Sequence, residues 1–421
     1  MDRFMIGAAT APHQVEGNNT TSDCWVMEQL RHSDYTEPSG DACDHYNRYE
    51  EDIALLAASG CNAYRFGIEW ARIEPMERRF DPAAIEHYRQ VLLCCEKYGI
   101  TPIVTLHHFS SPSWLISKGG WGDNYVVDAF AWYVRKIVRK LGKHMPYICT
   151  INEANMGFQL QKIAADMMKA NQKEGSVQVG TNTKLDMKAI LLGMLEQGKV
   201  FKCSPFAVNN YLKPRSQEKE KLVMKAHRAA VKEIHALYPQ TKVGLTLSLF
   251  DYQAADGGED AANQLWQEDF GWYLPYIKDD DFLGVQNYSR KIVDKDGARE
   301  PAPGVAVTQM GYEDYPISIG NVLRRVSKEF KGELIVTENG IATSDDTRRC
   351  EFIREALKSL KSAREDGVPV KGYLHWSLLD NFEWQAGFGK TFGLIAVDRN
   401  TQRRYPKQSL TVLGGFTDII R

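Results

Sequence analysis

Short apolar runs alternate with amphipathic helical patterns from one end of the chain to the other. Eight runs read as near-continuous apolar strands, at residues 4–9, 63–70, 101–106, 147–152, 242–247, 282–286, 333–337 and 370–377. Runs of this kind suit a parallel sheet covered on both faces, where neither side of a strand meets water. Between them, apolar residues return every three or four positions, the spacing that lines one face of a helix. Tyr46, Tyr49, Ile53 and Leu56 follow it behind Asp44, which is placed to cap that helix, and Gly60 ends it. Asp81-Pro82 opens a second helix that runs through Ile85, Tyr88, Leu92 and Cys95 to Gly99. Further helices are predicted over 218–237, stopped by Pro239, and over 346–364, stopped near Gly367. Eight strand–helix alternations predict the α/β class and a (β/α)8 TIM barrel over residues 1–421 as a single domain. In such a barrel the active site lies at the C-terminal ends of the strands. A doubly wound open sheet lacks support, because no GxGxxG or GxxxxGKS/T string follows any strand.

Charge and composition narrow the function more than the fold. Lys and Arg number 52 against 54 Asp and Glu, without long runs of one sign, so no nucleic-acid or membrane-surface partner is expected. No apolar run is long enough to span a bilayer, and no basic segment with an apolar stretch precedes the first strand. The 8 cysteines show neither CxxC pairs nor histidines at metal-ligand spacing, so no metal site is expected, and the thiols read as reduced and buried. A cytoplasmic location follows as the expectation. Two polar stretches, 171–188 and 293–311, are long enough to be excursions that wall a cleft.

Polar and aromatic residues gather where the strands end. Gln14 follows the first run and Arg65 lies in the second. His107 and His108 end the third, Asn152 and Glu153 the fourth, Asn287 and Tyr288 the sixth, and Glu338 the seventh. Trp376 ends the eighth, with Glu383 and Trp384 just beyond. Any one of these has a bland reading as core packing, an ion pair or a loop charge. Together they put two glutamates at the mouth of one barrel, the minimum needed to hydrolyse a glycosidic bond. The adjacent histidines are not an HxH pair, which argues against a barrel metal hydrolase.

Longer strings then match a known family. AATAPHQVEG at residues 8–17, YRFGIEWARIEP at 64–75 and TLHHFSSPSWL at 105–115 resemble glycoside hydrolase family 1, the retaining β-glucosidase family. TINE at 150–153, GVQNY at 284–288, VTENG at 336–340 and the long block at 372–398 continue the resemblance in the family's order. The resemblance implies a cofactor-free enzyme acting on a small-molecule β-glycoside. Glu153 would be its general acid/base and Glu338 its nucleophile. Arg65 and Tyr288 would depress the pKa of Glu338, and Asn152 would hold the sugar 2-OH. Gln14, His108, Asn287, Trp376, Glu383 and Trp384 would complete the sugar subsite. Glu383-Trp384 matches enzymes of unphosphorylated sugars, with the negative charge of Glu383 expected to repel a 6-phosphate and Lys390 close enough to offset it. A 6-phospho-β-glucosidase of the same family and a catalytically silent sugar-binding barrel are the alternatives.

The chain departs from the family at several points. Ala154 stands where proline is usual, Phe109 where tryptophan is common and Gly67 where serine is frequent. The stretch 155–214 does not resemble the family's usual sequence. Its Met156, Met167, Met168, Met187 and Met194 are expected in helix packing more than in an apolar binding wall.

Overall fold

The computed structural model describes residues 3–172 and 187–418, with side chains described over 3–165 and 188–417. Nine strands make the central sheet: β1 (Met5–Ala9), β2 (Ala63–Gly67), β3 (Thr101–Thr105), β4 (Tyr147–Cys149), β5 (Lys242–Gly244), β6 (Thr246–Ser248), β7 (Phe282–Gln286), β8 (Glu333–Asn339) and β9 (Val370–Trp376). Their order is β5-β4-β3-β2-β1-β9-β8-β7-β6, and each pairing is parallel. β5 and β6 are two halves of one segment, interrupted only at Leu245. The first half pairs with β4 and the second with β7, so this segment carries the sheet round into a barrel. The eight predicted strand regions are therefore the eight staves of a (β/α)8 barrel.

Boundaries differ at the ends that matter for chemistry. β2 stops at Gly67, and Glu69 then turns its carboxylate onto the Ala71 N–H to start a short helix, Trp70–Ile73. β8 runs on to Asn339, so Glu338 lies inside the strand and not beyond it. Outside the barrel lie α1 (His45–Ala58), α2 (Pro82–Lys97), α3 (Tyr125–Leu141), α4 (Met156–Gln172), α5 (Met187–Val200), α6 (Gln217–Leu237), α7 (Glu259–Trp266), α8 (Ser318–Glu329) and α9 (Asp346–Glu365). Asp81 caps α2 by accepting from the Ala83 N–H at 2.8 Å. The capping expected of Asp44 fails. Its backbone is left-handed, φ 49°, and its carboxylate bonds the Asn47 side chain in place of a backbone N–H.

The stretch 293–311 is partly strand: Asp251–Ala254, Arg290–Asp294 and Gly297–Ala298 form a small sheet beside the barrel mouth. Most of 171–188 lies outside the described residues, as do the side chains of Met167, Met168 and Met187. Met156 packs half-buried against the core, in line with a packing role. All eight cysteines are free thiols, and seven are buried. Among the described residues no helix is long and apolar enough to cross a membrane, and no cluster of His, Cys, Asp and Glu could hold a metal ion.

Candidate active site

Arg65 organises the barrel mouth. It points inward from β2, fully buried, and its side chain reaches three other staves. Nη1 donates to Glu338 Oε1 at 2.6 Å, Nη2 to Asn152 Oδ1 at 2.5 Å and Nε to Thr105 Oγ1 at 3.0 Å. A planar guanidinium suits this divergent set, which a single ammonium could not serve at once. The other oxygen of Glu338, Oε2, accepts from the Tyr288 hydroxyl at 2.6 Å. The strand terminates behind the glutamate at Gly340, where any Cβ would stand 2.0 Å from the Trp376 carbonyl oxygen.

Asn152 fixes the protonation of its neighbour. Its Oδ1 accepts from Arg65, from Gln286 Nε2 at 2.8 Å and from Thr246 Oγ1 at 3.2 Å, which leaves Nδ2 as the donor to His108 Nε2 at 3.2 Å. This network assigns the His108 proton to Nδ1, a buried atom with no partner among the described residues. Burial and the nearby Arg65 charge push the His108 pKa well down, so the ring is neutral. Across the site Gln14 Nε2 donates to the Phe382 carbonyl at 2.8 Å and to Glu383 Oε2 at 3.2 Å. Its Oε1 has no partner among the described residues. Trp376 and Trp384 both lie roughly parallel to the His108 ring, at 5.7 and 6.2 Å. The Trp376–Ser377 peptide is cis. An indole face, a ring N–H and paired oxygen acceptors converge, as a polyhydroxylated ring requires.

Glu153 has different neighbours. Its backbone is left-handed, φ 41°, and its N–H donates to Thr246 Oγ1 at 2.8 Å. The following Ala154 N–H donates to the Thr246 carbonyl at 2.9 Å, a bond that a proline at this position could not make. The Tyr211 hydroxyl braces the same turn through the Asn152 and Glu153 carbonyls. Burial first, and then the charge of Glu338, push the Glu153 pKa up to about 8.

Three expectations need correction. Glu338 does not fall below the ordinary carboxylate range: burial raises its pKa, and Arg65 and Tyr288 pull against that rise without overcoming it. Glu383 is pushed up to about 8 by burial and by the Glu338 charge, so it is largely uncharged at neutral pH and cannot supply the expected charge repulsion. Lys390 donates to the Gln309 carbonyl, a neutral partner that leaves its positive charge in place. Asn287 makes a different set of contacts from those expected of a sugar ligand. Its Nδ2 donates to the Leu249 and Ser289 carbonyls and its Oδ1 accepts from Ser318, which makes it a brace between loops.

The structure also assembles residues that the sequence reading left out. Gln286 and Thr246 hold Asn152, and Tyr312 stands near Glu153 and Glu383, its pKa pushed up to about 12 by burial first and then by those two carboxyls. Gln286 ends its strand like the residues that were found, whereas Thr246 opens β6. Tyr312 comes from an excursion and carries no such positional signal. Two departures have local reasons. A Cβ at Gly67 would sit 2.6 Å from the Pro12 ring, and Phe109 (φ 69°) lies between Tyr211 and Trp384.

The family model for glycosyl hydrolase family 1 matches residues 1–183 and 277–419. The chain belongs to glycosyl hydrolase family 1. It is 30% identical to the 1,4-β-D-glucan glucohydrolase of Thermotoga neapolitana, over 96% of this chain and 95% of that protein. A 6-phospho-β-galactosidase of Streptococcus pneumoniae is 27% identical, over 98% and 97%. The crystal structure of β-glycosidase BGL167 superposes with a TM-score of 0.89 at 40% identity, covering 98% of this chain and 96% of that one. The protein is thus a glycoside hydrolase. The stretch outside the family model, 184–276, begins and ends later than the divergence expected at 155–214.

Proposed function

We propose that this family 1 enzyme is a retaining β-glucosidase, removing terminal non-reducing β-D-glucosyl residues by double displacement. One observation carries the reading: the two buried glutamates have opposite surroundings. Glu338 is hydrogen-bonded through both oxygens to Arg65 and Tyr288, whereas Glu153 is pushed up to about 8. In the first step Glu338 attacks the anomeric carbon while Glu153 gives its proton to the departing oxygen. Esterification removes the Glu338 charge, which lowers the proton affinity of Glu153. Glu153 then takes a proton from water as the water attacks the same carbon and the ester bond to Glu338 breaks, which frees the sugar and returns the Glu338 carboxylate. The second Nδ2 hydrogen of Asn152 remains for the sugar 2-OH. Gln14, the His108 Nδ1–H and Glu383 meet the outer hydroxyls over the Trp376 face.

The eight free thiols support a cytoplasmic location. The reading is tested with aryl β-glycosides that differ only in the sugar, together with the β-glucoside 6-phosphate. The highest kcat/KM is expected for the unphosphorylated glucoside. A higher value for the 6-phosphate makes the enzyme a phosphoglycosidase, and absence of any turnover makes it a silent barrel.

A further inference from the structure

The backbone after Glu153 runs alongside β6 and is tied to it by hydrogen bonds. Thr246 Oγ1 accepts the Glu153 N–H, so the Thr246 side chain lies on the face of β6 that meets this turn. Two residues on, Ser248 occupies the same face, because side chains repeat every second position along a strand. Ser248 is unusually well anchored. The Asn155 amide bridges its backbone, Oδ1 accepting from the Ser248 N–H at 3.0 Å and Nδ2 donating to the Ser248 carbonyl at 2.7 Å. Gln159, one turn along α4, donates to that carbonyl at 2.9 Å. Asn155 Nδ2 also reaches the Asp269 carbonyl at 3.1 Å, and the Asp269 carboxylate takes Gln159, Lys162 and the Tyr252 hydroxyl. The clamp thus joins the start of α4, the residues just past Glu153, to the tip of β6.

We propose that Ser248 is a positioning residue for Glu153: its hydroxyl, aimed by the Asn155–Gln159 clamp, donates to the Glu153 carboxyl and favours the ionised form that must accept a proton from water. The inference rests on Glu153 being the acid/base. The Ser248 hydroxyl acts against the burial that raises Glu153, in the direction this contact requires. The other groups facing Glu153 are Glu338, Arg65 and Glu383, with the phenols of Tyr211, Tyr288 and Tyr312. Glu338 and Glu383 raise its proton affinity, and Arg65 is the one cation among these that lowers it. Ser248 is a neutral donor that lowers it without adding charge.

Ser248→Ala tests this through the pH dependence of kcat/KM on an aryl β-glucoside. Loss of a donor to the carboxylate raises the Glu153 pKa, so the basic limb should move to higher pH by roughly half a unit to one unit. Ser248→Thr, which keeps the hydroxyl, should leave the limb near its wild-type position. Asn155→Ala, which frees Ser248, should move it in the same direction as Ser248→Ala. If Ser248→Ala does not fold, Ser248→Cys supplies the same reading, since a thiol is a weak donor. An unmoved or lowered basic limb in a folded Ser248→Ala or Ser248→Cys enzyme overturns the proposal. Glu153→Gln separates the two levels: a basic limb that survives there removes Glu153 as the acid, whereas one that vanishes there but stays fixed without the serine hydroxyl removes only Ser248.

Discussion

Glu338 and Glu153 end apolar runs of similar character, the seventh and the fourth, yet the structure gives them opposite surroundings. Glu338 sits within β8, fixed through both oxygens by a buried guanidinium from β2 and a phenol just past β7. Glu153 stands on a left-handed turn beyond β4, braced through backbone bonds to β6 and to Tyr211. The first carboxyl is held by charge and the second by its backbone. In the proposed mechanism that difference separates a group that must stay ionised from one that must lose and regain a proton. Desolvation acts on both, and the partner that opposes it sets them apart.

The comparison breaks most directly at Glu338. Glu338→Ala is expected to lower hydrolysis by about four to six orders of magnitude while the fold persists, because no other carboxyl stands where the covalent ester must form. Azide added to this variant should restore turnover with inverted product, and near-normal activity without azide would remove Glu338 as nucleophile. Changing the other member should give a conditional defect. Glu153→Ala should cost about 10²- to 10⁴-fold with poor leaving groups and far less with activated aryl glycosides, which depart without a proton. Equal losses across a leaving-group series would refute the assignment.

What could be read from the chain followed this division. The staves were legible because a parallel barrel strand is apolar on both faces; Gln14, His108, Asn152 and Glu338 stood out at or near the end of such a run, and Arg65 as a charge within one. The Glu153 side was harder. Tyr211 lies in the 184–276 stretch outside the family model and Tyr312 in an excursion, so periodicity gives no address for them, while Ser248 directly follows a predicted run but no family string marks it. Asn287 shows the opposite failure. Its position resembled a ligand's, but its amide is occupied by the Leu249 and Ser289 carbonyls, which only the folded loops bring near. Charge states were the least legible. The burial that raises Glu338 and Glu383 belongs to the assembled mouth and to no single string.

A milder change sharpens the Glu338 side. In Arg65→Lys one ammonium replaces a fork that serves Glu338, Asn152 and Thr105, and kcat/KM is expected to fall about 10- to 100-fold. Arg65 pulls the Glu338 pKa down against burial, so weakening that contact lets it rise. A smaller fraction of Glu338 is then ionised at a given pH, and the acidic limb of the profile should move to higher pH. A limb that stays in place would show that the guanidinium positions Asn152 without tuning Glu338.

The smallest expected effect is on stability, and its sign distinguishes a carboxyl kept for function from one kept for folding. Below the unfolded value of a glutamate, about 4.3, Glu153 is protonated in both states, and glutamine is a near-isosteric replacement. As pH rises above that value the unfolded chain releases the proton, while the buried carboxyl holds it until about 8. Over that window the native state binds more protons than the unfolded one, so wild-type stability falls with rising pH. Glu153→Gln removes this linkage. Its Tm should match wild type near pH 4 and exceed it by a few degrees near pH 8, measured by thermal unfolding in matched buffers. A variant less stable than wild type at pH 8 would mean that the ionised carboxylate holds the site together, and the contrast drawn here between the two glutamates would fail.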